Sequence, residues 1–309
     1  MKTNGKRTPG TSGFTLLELL VVVAILAIVG GGVIVAYDGL EQKSAQGTST
    51  HSIANLDKSL RTFKVLNNGA FPTTFDSLLE ATTTGAETNT ATFTASTTTN
   101  LVSMPSSLQG KLGPFPLTQE MLDALNEVGI TDLRYIGSSL VDGDGITGNT
   151  APGGIPNRAF DSTPRGRGIS RTLAAGDHVA VVESINIADF GGSAPTTSDR
   201  LRDIGSLDDQ IGHVVAAFGI GNNCTLVKNS GNRSTGLAEA PFYGNVDKAD
   251  YSRYIALFHL ASDDGAGGAT PNDGTYATSE VFSNARLLAV LDTRGDWYDE
   301  EFAEYTGQK

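Results

Sequence analysis

Residues 14–37, "FTLLELLVVVAILAIVGGGVIVAY", form an apolar run near the start of the chain. As a helix it is about 36 Å long, enough to cross a hydrocarbon layer of about 30 Å. Lys2, Lys6 and Arg7 stand upstream, in a leader (residues 1–13) that holds no acid. Positive charge on that side predicts a cytoplasmic N-terminus, with everything after Asp38 across the membrane. A secretory signal would carry a shorter apolar core with a small-residue cleavage site after it. Here Gly13 precedes the core, and Gly30, Gly31 and Gly32 make no A-x-A-like site. Removal after the run is the weaker option.

Glu18 interrupts the run. An ionised carboxylate beside hydrocarbon is costly unless paired, so an intramembrane acid marks a functional position. Close to the end of the run, it can also snorkel to the interface. A second reading gives it a partner made later. Cutting between Gly13 and Phe14 frees an α-amino group on Phe14, four residues and one helical turn from Glu18. The same amine on a neighbouring subunit would serve as well, and the helix dipole favours the carboxylate there.

The stretch "GFTLLELLVVVAIL" resembles the class III prepilin signal of type IV pilins and type II secretion pseudopilins. The matching features are the basic leader, Gly13, Phe14, Glu18 and the continuous apolar helix. The resemblance implies cleavage after Gly13 by a prepilin peptidase and N-methylation of Phe14. It further implies assembly into a filament in which Glu18 neutralises a neighbour's N-terminus. The implied setting is the bacterial inner membrane, crossed once, with a periplasmic head and a filament in the periplasm or at the cell surface. The implied partners are the peptidase, copies of this chain and other pilins or pseudopilins, the inner-membrane assembly platform and the lipid bilayer.

Ile53, Leu56, Leu60 and Phe63 recur at helical spacing, so the helix is expected to continue, amphipathic, over residues 38–66. Each of Gly30, Gly31 and Gly32 weakens it by about 1 kcal/mol relative to alanine. "QGTSTHS" (46–52) holds further poor helix formers. The triplet fits either close helix packing or, as the resemblance implies, a segment that unwinds in a filament. Asn67, Asn68 and Gly69 stop the helix, and "TTFDSLLEA" reads as a short helix after the Phe71-Pro72 turn. Together with "IANLDKSLRTFKVL", this resembles the helix end and FP turn of the major pseudopilin of type II secretion. The likeness covers residues 13–80.

Beyond it, "TQEMLDALNEVG" reads as an amphipathic helix. "LRYIGSSLV", "DHVAVVESI", "GHVVAAFGIG", "YSRYIALFHLA" and "ARLLAVLDT" read as strands between Gly/Asp/Asn turns. The threonine-rich residues 82–100 read as a solvated loop in preference to a strand pair. The expected fold class is α+β. A long N-terminal helical spine, transmembrane and then amphipathic, packs on an antiparallel β-sheet head with long loops at 142–175, 189–210 and 228–250. The expected divisions are a leader (1–13), a transmembrane and assembly helix (14–37), its amphipathic continuation (38–66) and a head (67–309).

Chemistry in the head has weaker signals. A net charge of −12 argues against general nucleic-acid binding. Cys224 is the single cysteine, which excludes an intrachain disulfide and cysteine metal sites. His178, His213 and His259 fall on or beside expected strands and could converge, although satisfied histidines are commoner than a zinc site built that way. His51 stands apart. No G-x-S-x-G elbow occurs, and "FGIGNN" (218–223) lacks the third glycine of a dinucleotide fingerprint. Asp142 and Asp144 in "VDGDGITGN" are the best hard-cation candidates, but Ile146 breaks the EF-hand pattern and an Asp-Gly hairpin is the simpler reading. The resemblance to major pseudopilins implies Ca²⁺ in the head without fixing its ligands. No cofactor, catalytic residue or metal ligand is assigned. The tripeptide in "TRGDW" reads as chance, and "DWYDEEFAEY" as a solvated edge.

The function so implied is structural: a filament subunit, not an enzyme, acting through Gly13, Phe14 and Glu18. Two alternatives stand beside it. One is a membrane-anchored extracytoplasmic enzyme or ligand-binding domain, which strongly shifted carboxylate or histidine pKa values in a pocket would favour. The other is a minor tip pilin or adhesin, which the large head permits.

Overall fold

A computed structural model of the chain describes residues 15–80, 82–84, 92–94, 101–109, 111–136, 160–161, 169–182, 212–227, 237–244, 246–247, 250–263 and 276–306. Internal contacts divide the chain into two compact units, Met1–Ser44 and Ala45–Lys309.

Helix α1 (Leu16–Leu66) is unbroken over 51 residues, through both the glycine triplet and residues 46–52. Packing accounts for its survival in the second stretch, where propensity is poor. Ile53, Leu56 and Leu60 are buried in the head core, and Phe63 packs at its margin. Each such aliphatic side chain contributes about 1.5–3 kcal/mol when fully buried, more than the propensity deficit of a Ser, Thr or Gly. The other side carries the i,i+4 pair Asp57–Arg61 at 2.8 Å. The stop is as the sequence indicates: Asn68 and Gly69 take positive φ (55° and 96°), and the Gly69 N–H donates to the Lys64 carbonyl at 2.8 Å.

The head is α+β, as expected, with a mixed, mostly antiparallel sheet. Its strands are β1 (Phe75–Ser77), β4 (Leu112–Pro116), β5 (Asp132–Tyr135), β6 (Ile169–Thr172), β7 (His178–Val182), β8 (Gly212–Gly219), β9 (Ile255–Asp263) and β10 (Val281–Leu291). The main path is β10-β9-β8-β1-β5-β6, and β7, paired with β4, joins the same edge of β8 that β1 uses. One pair departs from the antiparallel expectation: β1 and β5 run parallel, with Phe75 opposite Leu133. A second correction concerns "TTFDSLLEA", which forms β1 instead of a helix. A third is the threonine-rich segment, where β2 (Thr82–Thr84) and β3 (Thr92–Thr94) make an antiparallel pair. β6 falls inside the expected loop 142–175; most of the three expected loops lies outside the described residues.

Strand alternation divides the core between the two faces of the sheet. Val214, Ala216 and Phe218 of β8, with Ala256 and Phe258 of β9, face the stripe of α1 and helix α3 (Gln119–Glu127). Phe71, Phe75, Phe218 and Phe258 make ring contacts there, the closest being Phe71–Phe258 at 5.1 Å between centroids. Helix α3 starts where Thr118 accepts the Met121 N–H, and it buries Met121, Leu122, Ala124 and Leu125. On the other face, Val215, Ala217, Ile255 and Leu257 are covered by Leu78, Leu79, Val102, Met104, Leu108 of α2 (Ser106–Gln109) and Trp297.

The acidic tail is solvated along most of its length, as expected, but is anchored in the head. It forms α4 (Tyr298–Thr306), with Trp297 and Glu301 buried, and Glu304 accepting a hydrogen bond from Gln46 of α1 at 2.8 Å.

Candidate functional site

Among the sequence-predicted site residues, Gly13 and Phe14 lie outside the described residues, as do Asp142 and Asp144. Glu18 is described. It closes the start of α1: the Thr15 N–H and hydroxyl donate to Glu18 Oε2 at 2.9 and 3.0 Å, and the Glu18 N–H donates to Thr15 Oγ1 at 3.3 Å. This reciprocal arrangement is a capping box, which satisfies backbone donors at a helix start. Its signature, threonine followed three residues later by glutamate, is legible in "TLLE". Glu18 thus has a partner, Thr15, within its own chain. From Leu16 to Val33 the helix is long and apolar enough to span a membrane, and its large side chains are exposed, between 45% and 85%. A protein surface so apolar requires lipid or other helices against it.

Among the described residues of the head, three polar clusters bear on function. In the first, Asp76 and Arg253 are fully enclosed and paired at 3.3 Å, and Asp76 also accepts from the Tyr251 hydroxyl at 3.0 Å. Arg253 reaches on to Asp161, which Asn222 also contacts, and lies 5.1 Å from the centre of the Phe242 ring. Burial lifts Asp76 to about 6, against the opposing pull of Arg253. The carboxylate is shifted, but it is sealed in the core with its charge spent on Arg253. This is an ion pair that joins β1 to the segment before β9, not an acid–base group in a cleft.

The second cluster lies in the turn from β10 to α4. Asp292 Oδ1 accepts the backbone N–H groups of Arg294 and Asp296 at 2.8 and 2.9 Å, and Gly295 takes φ +85°. The RGD tripeptide is therefore a turn around a buried aspartate. Asp292, Asp296 and Glu301 bring carboxylate oxygens within 4.8 Å of one another, the type of donor set that suits a hard cation. Tyr243 donates to Glu301 Oε1 at 3.1 Å. Burial, then the adjoining Asp292, raises Glu301 to about 8, and burial also raises Asp292. Asp292 Oδ2 and Glu301 Oε2 are buried without a hydrogen-bond partner, and a proton held between the two carboxyl groups would supply one.

In the third, two of the four histidines meet. His213 Nδ1 lies 3.2 Å from His259 Nε2 and 3.0 Å from Ser262 Oγ, and Ser262 Oγ lies 3.1 Å from His259 Nε2. Burial, then His213, pushes His259 down to about 3. His178 begins β7 and is paired with Pro116, while His51 is exposed on α1.

Comparison with known proteins bears on the N-terminal helix. Residues 9–34 match the family described as the prokaryotic N-terminal methylation motif. The chain carries a prepilin methylation motif. It is also 40% identical over 76 residues to the type II secretion system core protein G of Vibrio cholerae serotype O1. That alignment covers 25% of this chain and 51% of the relative, so the chain spans about half the length of the curated protein it matches. No solved structure matches the chain.

Proposed function

We propose that the chain is the precursor of a structural subunit of a type IV pilus-like or type II secretion pseudopilus filament. The observation that carries this reading is the coincidence, in one segment, of the methylation motif at residues 9–34 with an apolar helix whose first turn holds a single acid. In this reading residues 1–13 are a leader cut after Gly13, and Phe14 is methylated on the new amine. Residues 14–37 anchor the subunit in the inner membrane, 38–66 carry the helix into the head, and 67–309 form a periplasmic head. Glu18 then exchanges its Thr15 cap for the positive N-terminus of a neighbouring subunit. The partners are the prepilin peptidase, the assembly platform, lipid, and copies of this chain with other pilins or pseudopilins. The partial likeness to core protein G favours the pseudopilus. The function is assembly, without catalysis by the chain itself.

Mass spectrometry of the N-terminus from membrane fractions tests the first step: a chain beginning with N-methylated phenylalanine is expected, and an intact leader in assembled filaments refutes it. Glu18→Ala tests the second. It should insert and be cut, yet fail to enter filaments; normal filaments from this variant would count against the scheme.

A further inference from the structure

The histidine pair owes its geometry to a defect in the sheet. His213 of β8 faces Ser262 of β9 directly across the ladder. In a regular strand, residues three apart point to opposite faces, so His259 and Ser262 would diverge. Between the Val214–Ala261 and Val215–His259 pairs, however, β9 holds one surplus residue, Leu260. Leu260 and Ala261 both join the core facing α1 and α3, and this bulge brings His259 and Ser262 onto the opposite face together. Bulges that re-aim side chains are a recurrent means of building sites at sheet edges.

The result is a nearly equilateral triangle of donor atoms, with sides of 3.0, 3.1 and 3.2 Å. An ion about 2.1 Å from each corner would sit about 1.1 Å above such a plane, with ligand angles of about 95°, within reach of zinc–imidazole bonding. His259 Nε2 lies within hydrogen-bond distance of both His213 Nδ1 and Ser262 Oγ. The surroundings are mixed in charge. Arg286 is the cross-strand neighbour of His259, but its guanidinium is held 4.0 Å from the centre of the Phe282 ring, which contacts His259 at 4.6 Å. Buried Asp263 follows Ser262, and the Ser262 N–H donates to the carbonyl of Glu280, itself buried.

We propose that His213 Nδ1, His259 Nε2 and Ser262 Oγ hold a divalent transition metal of the Zn²⁺ class, with water completing its coordination. The ion would clip β8 to β9 where the bulge interrupts their ladder. Its ligands are neutral imidazoles and a hydroxyl, so it differs in kind from a hard-cation site made of carboxylates.

Full-length protein in detergent micelles, stripped with a chelator, is titrated with Zn²⁺ alone and separately with Co²⁺ as a spectroscopic probe. One Zn²⁺ per chain is expected. His213→Asn and His259→Gln should each weaken it at least tenfold, Ser262→Ala less, and His178→Asn should change nothing. The Co²⁺ spectrum of the unsubstituted chain should show nitrogen-ligated d–d bands, and this reading stands even where a histidine variant does not fold. Absence of stoichiometric binding overturns the proposal, leaving a neutral hydrogen-bonded trio. So does binding that persists in His259→Gln but is lost in Asp296→Asn, which would place the ion on the carboxylates.

Discussion

Gly221 leaves the space that Asp76 occupies: a β-carbon at position 221 would run into both of its carboxylate oxygens, and one at Gly219 into the Tyr251 hydroxyl. The G-x-G of "FGIGNN" therefore serves core packing. It admits a buried carboxylate, its arginine and a tyrosine hydroxyl into the end of β8.

Gly221→Ala should accordingly destabilise the head by about 1–3 kcal/mol, the usual cost of overpacking where neighbours cannot yield. Asp76→Ala should cost more, about 3–5 kcal/mol, because it leaves Arg253 buried with half its pairing gone. Trp297, the single tryptophan, is buried in the second core cluster and reports both by fluorescence during urea unfolding of the full chain in micelles. Equal stability of Gly221→Ala and the parent would contradict the close approach.

The buried carboxyl groups give stability a definite slope with pH. Glu301 has an ordinary value of 4.5 and stands at about 8 in the fold; Asp76 rises from 3.8 to about 6. A carboxyl whose folded value is raised binds its proton more tightly when folded. Its contribution is fully present below the unfolded value and is lost as pH climbs through the folded one. Stability should therefore fall between about pH 7 and 8, where Asp76 is mostly ionised and Glu301 is still mostly protonated. Glu301→Gln, which keeps a donor toward Asp292, should flatten the melting temperature over that interval. An unchanged slope in the variant would exclude Glu301 as its source.

Some of this architecture is legible in the sequence and some is not, for identifiable reasons. The helix stop at Asn67-Asn68-Gly69 and the cap of α3 at Thr118 depend on local chemistry, which sequence carries directly. The apolar runs of β8 and β9 are equally plain. β1 is hidden because Phe75, Leu78 and Leu79 carry helical spacing, and only pairing with β5 and β8 settles the segment as a strand. Glu301 sits in a string of acids that resembles a solvated surface; its burial depends on Tyr243 and Asp292, remote or in another element. The meeting of His213 with His259 required a bulge at Leu260, and nothing in "LFHLASD" announces it. The Thr15–Glu18 box is legible in the threonine–glutamate spacing, although the apolar run around it makes the acid stand out first as a membrane charge.

Core dependence should differ sharply along α1. Leu56 is fully buried in the head, so Leu56→Ala should cost about 2–5 kcal/mol of head stability. Leu26, 64% exposed in the apolar segment, is not one of the residues that make up the head core, and Leu26→Ala should leave urea unfolding of the head unchanged. If the two variants unfold alike, the stripe of Ile53, Leu56 and Leu60 is not what fastens the helix to the sheet.

Under the proposed assembly scheme Glu18 has two separable jobs, one as the cap seen with Thr15 and one as a charge, and one substitution divides them. Glutamine serves at the third position of a capping box nearly as well as glutamate, because its side-chain oxygen can accept the Thr15 N–H. It carries no charge and so cannot neutralise a neighbour's amine. Glu18→Gln should keep the start of α1, insert in the membrane and be processed to a shorter species on a gel, yet be lost from filaments. Thr15→Ala does the reverse, removing the hydroxyl bonds of the box while leaving the carboxylate, and should assemble to at least half the parental level. Immunoblots of sheared filament and membrane fractions measure both. Assembly retained by Glu18→Gln but lost in Thr15→Ala would mean that the acid matters only as a helix cap, and the electrostatic account of assembly would have to be given up.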